Sequence, residues 1–180
     1  MDPVNSFIEN RTPDFEDNFD NSSAVWKVRP CVWCQKSIVD GEMVVNGVVE
    51  NTMITYHDYM IDVKIRHING EGAGIEFDNG SAGYCKVLVG SRGRSVHISC
   101  SDPTDLIFTH GSTEIVNLRL IVKGSKIAVI VNQQPVAYIE DDTFRLYRGE
   151  KPMVALTTND SGTIAFSNFR VWNLTQLEIP

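Results

Sequence analysis

The stretch Asn117-Leu-Arg-Leu-Ile-Val-Lys-Gly-Ser-Lys-Ile-Ala-Val-Ile-Val-Asn-Gln-Gln-Pro-Val-Ala-Tyr-Ile-Glu140 decides the fold. Apolar residues fill every second position, or nearly every position. The breaks are Lys123-Gly124-Ser125-Lys126 and Asn132-Gln133-Gln134-Pro135. A side-chain period of two belongs to a strand with one buried face, and short polar breaks between such runs are hairpin turns. Leu118–Val122 and Ile127–Val131 are apolar almost throughout, the pattern of strands covered on both sides or nearly so. Ala165-Phe-Ser-Asn-Phe-Arg-Val-Trp172 closes the segment in the same manner.

Working outward, the same pattern predicts strands at Phe15–Phe19, Trp26–Val28, Ile38–Val39, Glu42–Val45, Met60–His67 and Gly74–Asp78. More follow at Tyr84–Val89, Ser95–Cys100, Leu106–His110, Val116–Lys123, Lys126–Val131, Gln134–Glu140, Met153–Thr157 and Thr163–Trp172. Residues 29–36 read as a loop, and one helical turn is expected near Asp141–Tyr147. Many short strands separated by Gly, Asn, Asp and Ser turns make a two-sheet sandwich or a barrel. Residues 1–13 read as a flexible N-terminal linker and 14–180 as one β-sandwich domain. A chain of 180 residues with 42% hydrophobic content can bury one sizeable core.

A net charge of −7 argues against a nucleic-acid partner, which needs a basic face to displace counterions, and against adsorption to anionic lipid. No apolar run reaches bilayer length, so no membrane insertion is expected. The opening Met1-Asp-Pro-Val-Asn-Ser6 has no basic segment followed by an apolar core. This fits a cytoplasmic protein or a domain of a longer extracellular or cell-surface chain, and the polar opening favours the second. Asn10, Asn21, Asn159 and Asn173 begin N-glycosylation patterns, which matter only in a eukaryotic secretory setting.

The four cysteines form two local pairs. Centring a hairpin on Gly90–Arg94 sets Val89 opposite Val96, Val87 opposite Ile98 and Cys85 opposite Cys100, so Cys85 and Cys100 are either a cross-strand disulfide or two buried thiols. Cys31-Val-Trp-Cys34 can be a zinc half-site, a redox motif or a small loop disulfide. None of His57, His67, His97 and His110 stands at finger-like spacing, and no helical periodicity follows Cys34. A loop disulfide or inert thiols is therefore the main expectation. Paired cysteines lean towards an oxidising compartment.

These residues resemble the concanavalin A-like jelly-roll domains. Asp17-Asn-Phe19 followed by Trp26 looks like the opening motif of that group. Tyr59–Ile65 with Ala73-Gly-Ile-Glu-Phe77 is similar to its central strands, Asn117–Asn132 to its hairpin, and Phe166–Trp172 to its last strand. The resemblance runs from about Asp17 to the end. It is nearest the laminin-G-like branch that holds 3-keto-disaccharide hydrolases and many accessory modules. It implies an all-β fold, a two-sheet antiparallel jelly-roll sandwich. Glucanases of this fold carry a strand with a Glu-x-Asp-x-(x)-Glu pattern, whose carboxylates flank the glycosidic bond. No such strand occurs here, and Glu76-Phe-Asp78 lacks a third carboxylate.

In such sandwiches a concave sheet or its rim loops take the ligand. Alternation aims Asp62, Lys64, Arg66, Glu76, Asp78, Lys86, His97 and Ser99 away from the core. From these, Lys64, Arg66, Glu76, Lys86 and His97 are expected as one polar cluster, either a face for sugar hydroxyls or an anionic glycan, or a solvated face with cross-strand ion pairs. Trp33, Tyr56 and Tyr59 are the aromatic residues that could stack on a sugar ring, Trp33 foremost because it lies in a loop, whereas Trp26 and Trp172 read as core. The resemblance further implies a structural calcium, and no other cofactor, between the first and last strands, with Asp17, Asp20 and Asn168 at the matching places. The expected function is a non-catalytic module that binds carbohydrate or a protein partner. The alternatives are a glycoside-processing hydrolase using Glu76 or Asp78 as acid or base, and a structural or oligomerisation domain.

Overall fold

The computed structural model of the protein describes residues 8, 11–20, 24–69, 72–80, 83–90, 95–99, 106–109, 114–140, 152–159 and 162–178. Among the described residues, fifteen strands form two antiparallel sheets packed face to face. One sheet runs β13 (Gln134–Glu140), β12 (Lys126–Val131), β11 (Ile115–Lys123), β6 (Tyr59–Asn69), β15 (Thr163–Asn173), β4 (Glu42–Asn46), β3 (Gln35–Val39); β1 (Phe15–Asp17) pairs with β15 as its eighth strand. The other, with seven strands, runs β10 (Leu106–Thr109), β9 (Ser95–Ser99), β8 (Gly83–Gly90), β7 (Gly72–Gly80), β14 (Val154–Asn159), β5 (Val48–Asn51), β2 (Trp26–Val28). The chain passes repeatedly between the sheets, so neighbours in space such as β6 and β15 lie far apart in sequence.

The expected period-two patterns fill the space between the sheets. Ile61, Val63 and Ile65 of β6 face Ile75, Phe77, Val87 and Ile98 of the other sheet, all at 0–3% exposure. The opening motif has a structural purpose. Asp17 Oδ2 accepts a hydrogen bond from Trp26 Nε1 at 2.9 Å, and Oδ1 accepts one from Phe19 N at 2.8 Å. Trp26 is thereby held edge-on against Phe169, ring centres 4.9 Å apart, and tilted on Phe19. One carboxylate on the first strand thus fixes the aromatic centre of the core.

The hairpins obey backbone sterics. Asp40 and Gly41 both have positive φ (51° and 73°) in the two-residue loop between Val39 and Glu42, and Asn132 and Gln133 (49° and 67°) do the same between Val131 and Gln134. Such turns match the twist of antiparallel strands. Gly74 is needed for a different reason: a Cβ there would stand 1.8 Å from the Val87 carbonyl oxygen on the neighbouring strand.

The structure adds to the sequence reading in four places. β5 is a strand where none was expected between Val45 and Met60, because Gly47 (φ 94°) breaks the apolar run Val44–Val49 into two strands on different sheets. The supposed loop 29–36 already contains the start of β3 at Gln35. The near-continuous apolar runs have a second small core to cover: Met60, Ile121, Trp172 and Leu174 pack on the outer side of the eight-stranded sheet with Ile8, Ala128, Ile130 and Leu177. Within the segment read as a linker, Ile8 joins that cluster and the Arg11 carbonyl accepts a hydrogen bond from Trp172 Nε1. The helical turn expected near Asp141–Tyr147 lies outside the described residues.

Candidate functional site

The polar cluster expected from alternation is divided. Lys64 and Arg66 lie on β6, on the outer face of the eight-stranded sheet, whereas Glu76, Lys86 and His97 lie on β7, β8 and β9, on the outer face of the seven-stranded sheet. The whole sandwich separates them. Alternation gives a side chain's face within its own sheet but not which sheet the strand joins, and the expected single cluster fails there.

On the seven-stranded sheet, Glu76 is opposite Lys86 on one side and Ala155 on the other, and Ala155 in turn faces Glu50. Arg29, at the end of the edge strand β2, reaches across the small Ala155. Its Nε is 2.9 Å from Glu50 Oε1 and its Nη1 is 2.7 Å from Glu76 Oε1. Lys86 Nζ stands 3.5 Å from Glu76 Oε2. Burial disfavours the Arg29 charge, but the hydrogen bonds and charges of Glu76 and Glu50 outweigh it and hold the guanidinium above its ordinary range. Glu76 is 0% exposed, so it is not the solvated face residue expected from the sequence. A molecule approaching this face meets Arg29 and Lys86 first. His97 is half-buried one row away, opposite Leu88. The Asp78 side chain lies outside what the structure describes.

The outer face of the eight-stranded sheet carries a groove of about 270 Å³. Its floor is a ladder read straight across four strands in register: Ile130, Arg119, Asp62, Arg170, with Glu16 of β1 beyond. Arg119 grips Asp62 with two parallel bonds of 2.7 Å, and Arg170 Nε donates to Glu16 Oε1 at 2.8 Å. The next row is Asn117, Lys64, Ser167. Gln133 comes from the tight β12–β13 turn, and Asn168 from a bulge in β15 with φ 50°. The bulge aims Asn168 into the groove. The side chains of Lys64, Gln133 and Asn168 have no hydrogen-bond or ion-pair partner among the described residues. On the other side of the ladder the next row is Ala128, Ile121, Met60 and Trp172 of the second small core, with Ile130 packed against it. Arg66 lies one row beyond Lys64 and is occupied by Glu42, whose hydrogen bond raises the guanidinium pKa.

Trp33 is half exposed and Val32 fully exposed, as a loop position allows. They are displayed by a closed Cys31–Cys34 disulfide with Cα atoms 5.2 Å apart. The disulfide packs on Gly47, where a Cβ would come within 2.4 Å of Cys34 Sγ. Cys85 is also disulfide-bonded. The β8–β9 register sets Val87 opposite Ile98 and Val89 opposite Val96, as the hairpin argument required; Cys100 lies outside the described residues. Tyr59 is fully buried and unavailable for stacking. Tyr56 packs partly on the core, and burial, reinforced by Asp14, pushes its phenol up to about 12. Trp26 and Trp172 are core residues as expected.

The residues considered for calcium do not converge. Both oxygens of Asp17 accept N–H bonds on the core side of its sheet, whereas Asn168 lines the groove on the outer side. Asp20 stands near Gly41, 3.7 Å from the place a Cβ would take. A carboxylate engaged by two N–H donors, with its partners on separate faces, does not fit a hard cation that wants several converging oxygens.

Sequence reasoning missed Asn117, Arg119, Gln133 and Arg170 as site residues. Three of them were accessible to it, since Asn117 and Arg119 alternate with buried Leu118 and Leu120, and Arg170 with Phe169 and Val171. Only the strand order β11-β6-β15 puts them beside Lys64.

No protein-family model matches the sequence, and no curated protein does. Solved structures do match. A GH43 protein from Bacillus licheniformis superposes with a TM-score of 0.70 at 16% identity, over 88% of this chain and 39% of that one; the protein spans about two fifths of that chain's length. The carbohydrate binding module CBM66 from Bacillus subtilis gives 0.63 at 12% identity, over 84% of this chain and 98% of that one. A laminarinase from a Flavobacterium gives 0.68 at 10% identity, over 90% and 100%. At these identities the likeness is one of fold, and the fold is the concanavalin A-like jelly-roll sandwich.

Proposed function

We propose that this protein is a non-catalytic carbohydrate-binding module and that the groove over Asp62 and Arg119 is its ligand site. The observation that carries the reading is the groove itself. It offers planar amides and charged side chains on a rigid sheet, with Lys64, Gln133 and Asn168 uncommitted to other described groups. Sugar hydroxyls and ring oxygens need such directional partners held in place. Support comes from the fold, which the protein shares with a carbohydrate binding module over nearly that module's whole length. The two disulfide-bonded sites fit an extracellular or cell-surface setting, in which the domain serves a longer chain.

Hydrolysis is the competing reading, because sandwiches of this shape include a laminarinase. Against it stands the place of Glu76. A catalytic carboxylate must come within hydrogen-bond reach of the glycosidic oxygen, and Glu76 is fully covered, with Arg29 and Lys86 in front of it.

The test is a glycan array followed by calorimetry and a turnover assay on the same oligosaccharides. Binding without turnover, weakened tenfold or more in the double variant Lys64→Ala/Asn117→Ala, is the expected result. Turnover that disappears in Glu76→Gln would replace this reading with the hydrolase. Silence in both assays would leave a structural or oligomerisation domain.

A further inference from the structure

The groove's charge is lopsided, and the lopsidedness selects a ligand class. Among the described residues its one lining carboxylate, Asp62, has both oxygens engaged by Arg119 at 2.7 Å. Lys64, Gln133 and Asn168 carry donors with no described partner, whereas Arg119 and Arg170 donate to Asp62 and Glu16 and Asn117 Nδ2 lies 3.5 Å from Asn132 Oδ1. The lining holds three cations against one anion; even if Glu16, which binds Arg170 from outside, is counted as a second anion, one positive charge is left over. Lys64 is that charge. It is exposed, paired with no described group, and flanked in register by Asn117 and Ser167. This excess sits on a protein of net charge −7, so it is local rather than a property of the surface as a whole. A neutral sugar supplies acceptors for the uncommitted donors of Lys64, Gln133 and Asn168 but no charge to offset the excess cation. A ligand that brings an anionic, acceptor-only group supplies both.

We infer that the groove binds an acidic saccharide, with the carboxylate or sulfate of the sugar against Lys64 and the amides of Asn117 and Asn168. The inference rests on the carbohydrate-binding reading above and names its ligand class. Lys64 supplies the charge. Asn117 and Asn168 fix the orientation, and Ile130 gives the sugar an apolar edge to lie against.

The test uses three probes at matched chain length: an oligogalacturonate, its methyl ester and a sulfated galactan oligosaccharide. Titration calorimetry is run at about 20 mM and 200 mM salt, a range over which the screening length falls from about 20 Å to under 10 Å. The expected result is that at least one acidic probe binds tenfold or more tighter than the methyl ester, and that high salt erodes this advantage. Lys64→Gln should abolish the preference while leaving the melting temperature unchanged, and Lys64→Arg should retain it. If the ester and the acids bind equally, the acidic-ligand inference fails while the carbohydrate reading stands. If the preference survives Lys64→Gln, the assignment to this groove fails. If none of the three probes binds, the acidic-ligand inference fails, and the glycan array decides the reading beneath it.

Discussion

Asp62 and Glu76 hold comparable places on the two outer faces of the sandwich, each a carboxylate on a central strand with cations beside it. Asp62 lies between Arg119 and Arg170, and its side chain keeps 29% of its surface exposed. Glu76 lies between Arg29 and Lys86 and keeps none. The difference comes from the neighbours. Over Glu76, the methyl group of Ala155 leaves room for Arg29 to lie down across the sheet. Beside Asp62 both in-register neighbours are long, Arg119 gripping it from one side and Arg170 turned away to Glu16, and a groove lies over them. The same alternating pattern thus yields a structural ion cluster on one face and a candidate ligand site on the other.

The largest expected effect breaks the buried cluster. Arg29→Met removes the closest cation and leaves Glu76 covered beside the more distant Lys86, which should cost about 3–5 kcal/mol, the range for breaking a buried pair. Asp62→Asn should cost about 1 kcal/mol or less, as befits a partly exposed pair. Urea unfolding of both variants at low and high salt measures the contrast: the first loss should be nearly independent of salt, and the second should shrink. Equal losses would mean that the two carboxylates are in equivalent environments.

The next effect asks what holds Arg29 in place. Two residues beyond it, Cys31 and Cys34 close a four-residue loop packed on Gly47. Removing so short a crosslink with Cys31→Ser/Cys34→Ser should cost about 2 kcal/mol on the chain-entropy estimate. If the cluster depends on the loop, the double variant combined with Arg29→Met will lose less than the sum of the two. If the two are independent, the losses add. Ligand binding in the groove should be unchanged.

Two smaller effects sharpen the other side. Gln133 holds φ 67° at the rim of the groove, a conformation that costs a non-glycine residue about 1–2 kcal/mol. Gln133→Gly should therefore raise stability, by about 0.5–1 kcal/mol after the added flexibility of the unfolded chain is offset. The same variant deletes one groove amide, so its melting temperature should rise as its affinity for ligand falls. Tyr56 belongs to neither face and serves as a control. Its phenol is raised in the folded state to about 12 from the ordinary 10, so its stabilisation is complete below pH 10 and is lost as pH rises towards 12. Tyr56→Phe should remove that part of the alkaline destabilisation and leave stability at neutral pH nearly unchanged.

Much of the scaffold was legible in the chain because its signals are local. The two-residue period, the Asp40-Gly41 and Gly124-Ser125 turns and the Asp17–Phe19–Trp26 set each act within a hairpin or within ten residues. The β8–β9 register could even be counted from the loop between its strands. β5 escaped because a single glycine splits one apolar run between two sheets, and local pattern contains no such instruction.

The sequence by itself determined which side chains point into the core and which point out, since that follows from the geometry of an extended chain. It also determined the all-β class and the cysteine pair close enough to close a loop. Only the tertiary structure decided which outward residues meet. Lys64, Asn117 and Asn168 come together because β11, β6 and β15 are neighbours, and Lys64 parts from Glu76 because β6 and β7, consecutive in the chain, lie on opposite sheets. Burial was decided at the same level: Glu76 is covered and Asp62 is not because of the size of the residues that register places beside them, a property of paired strands that no single strand carries.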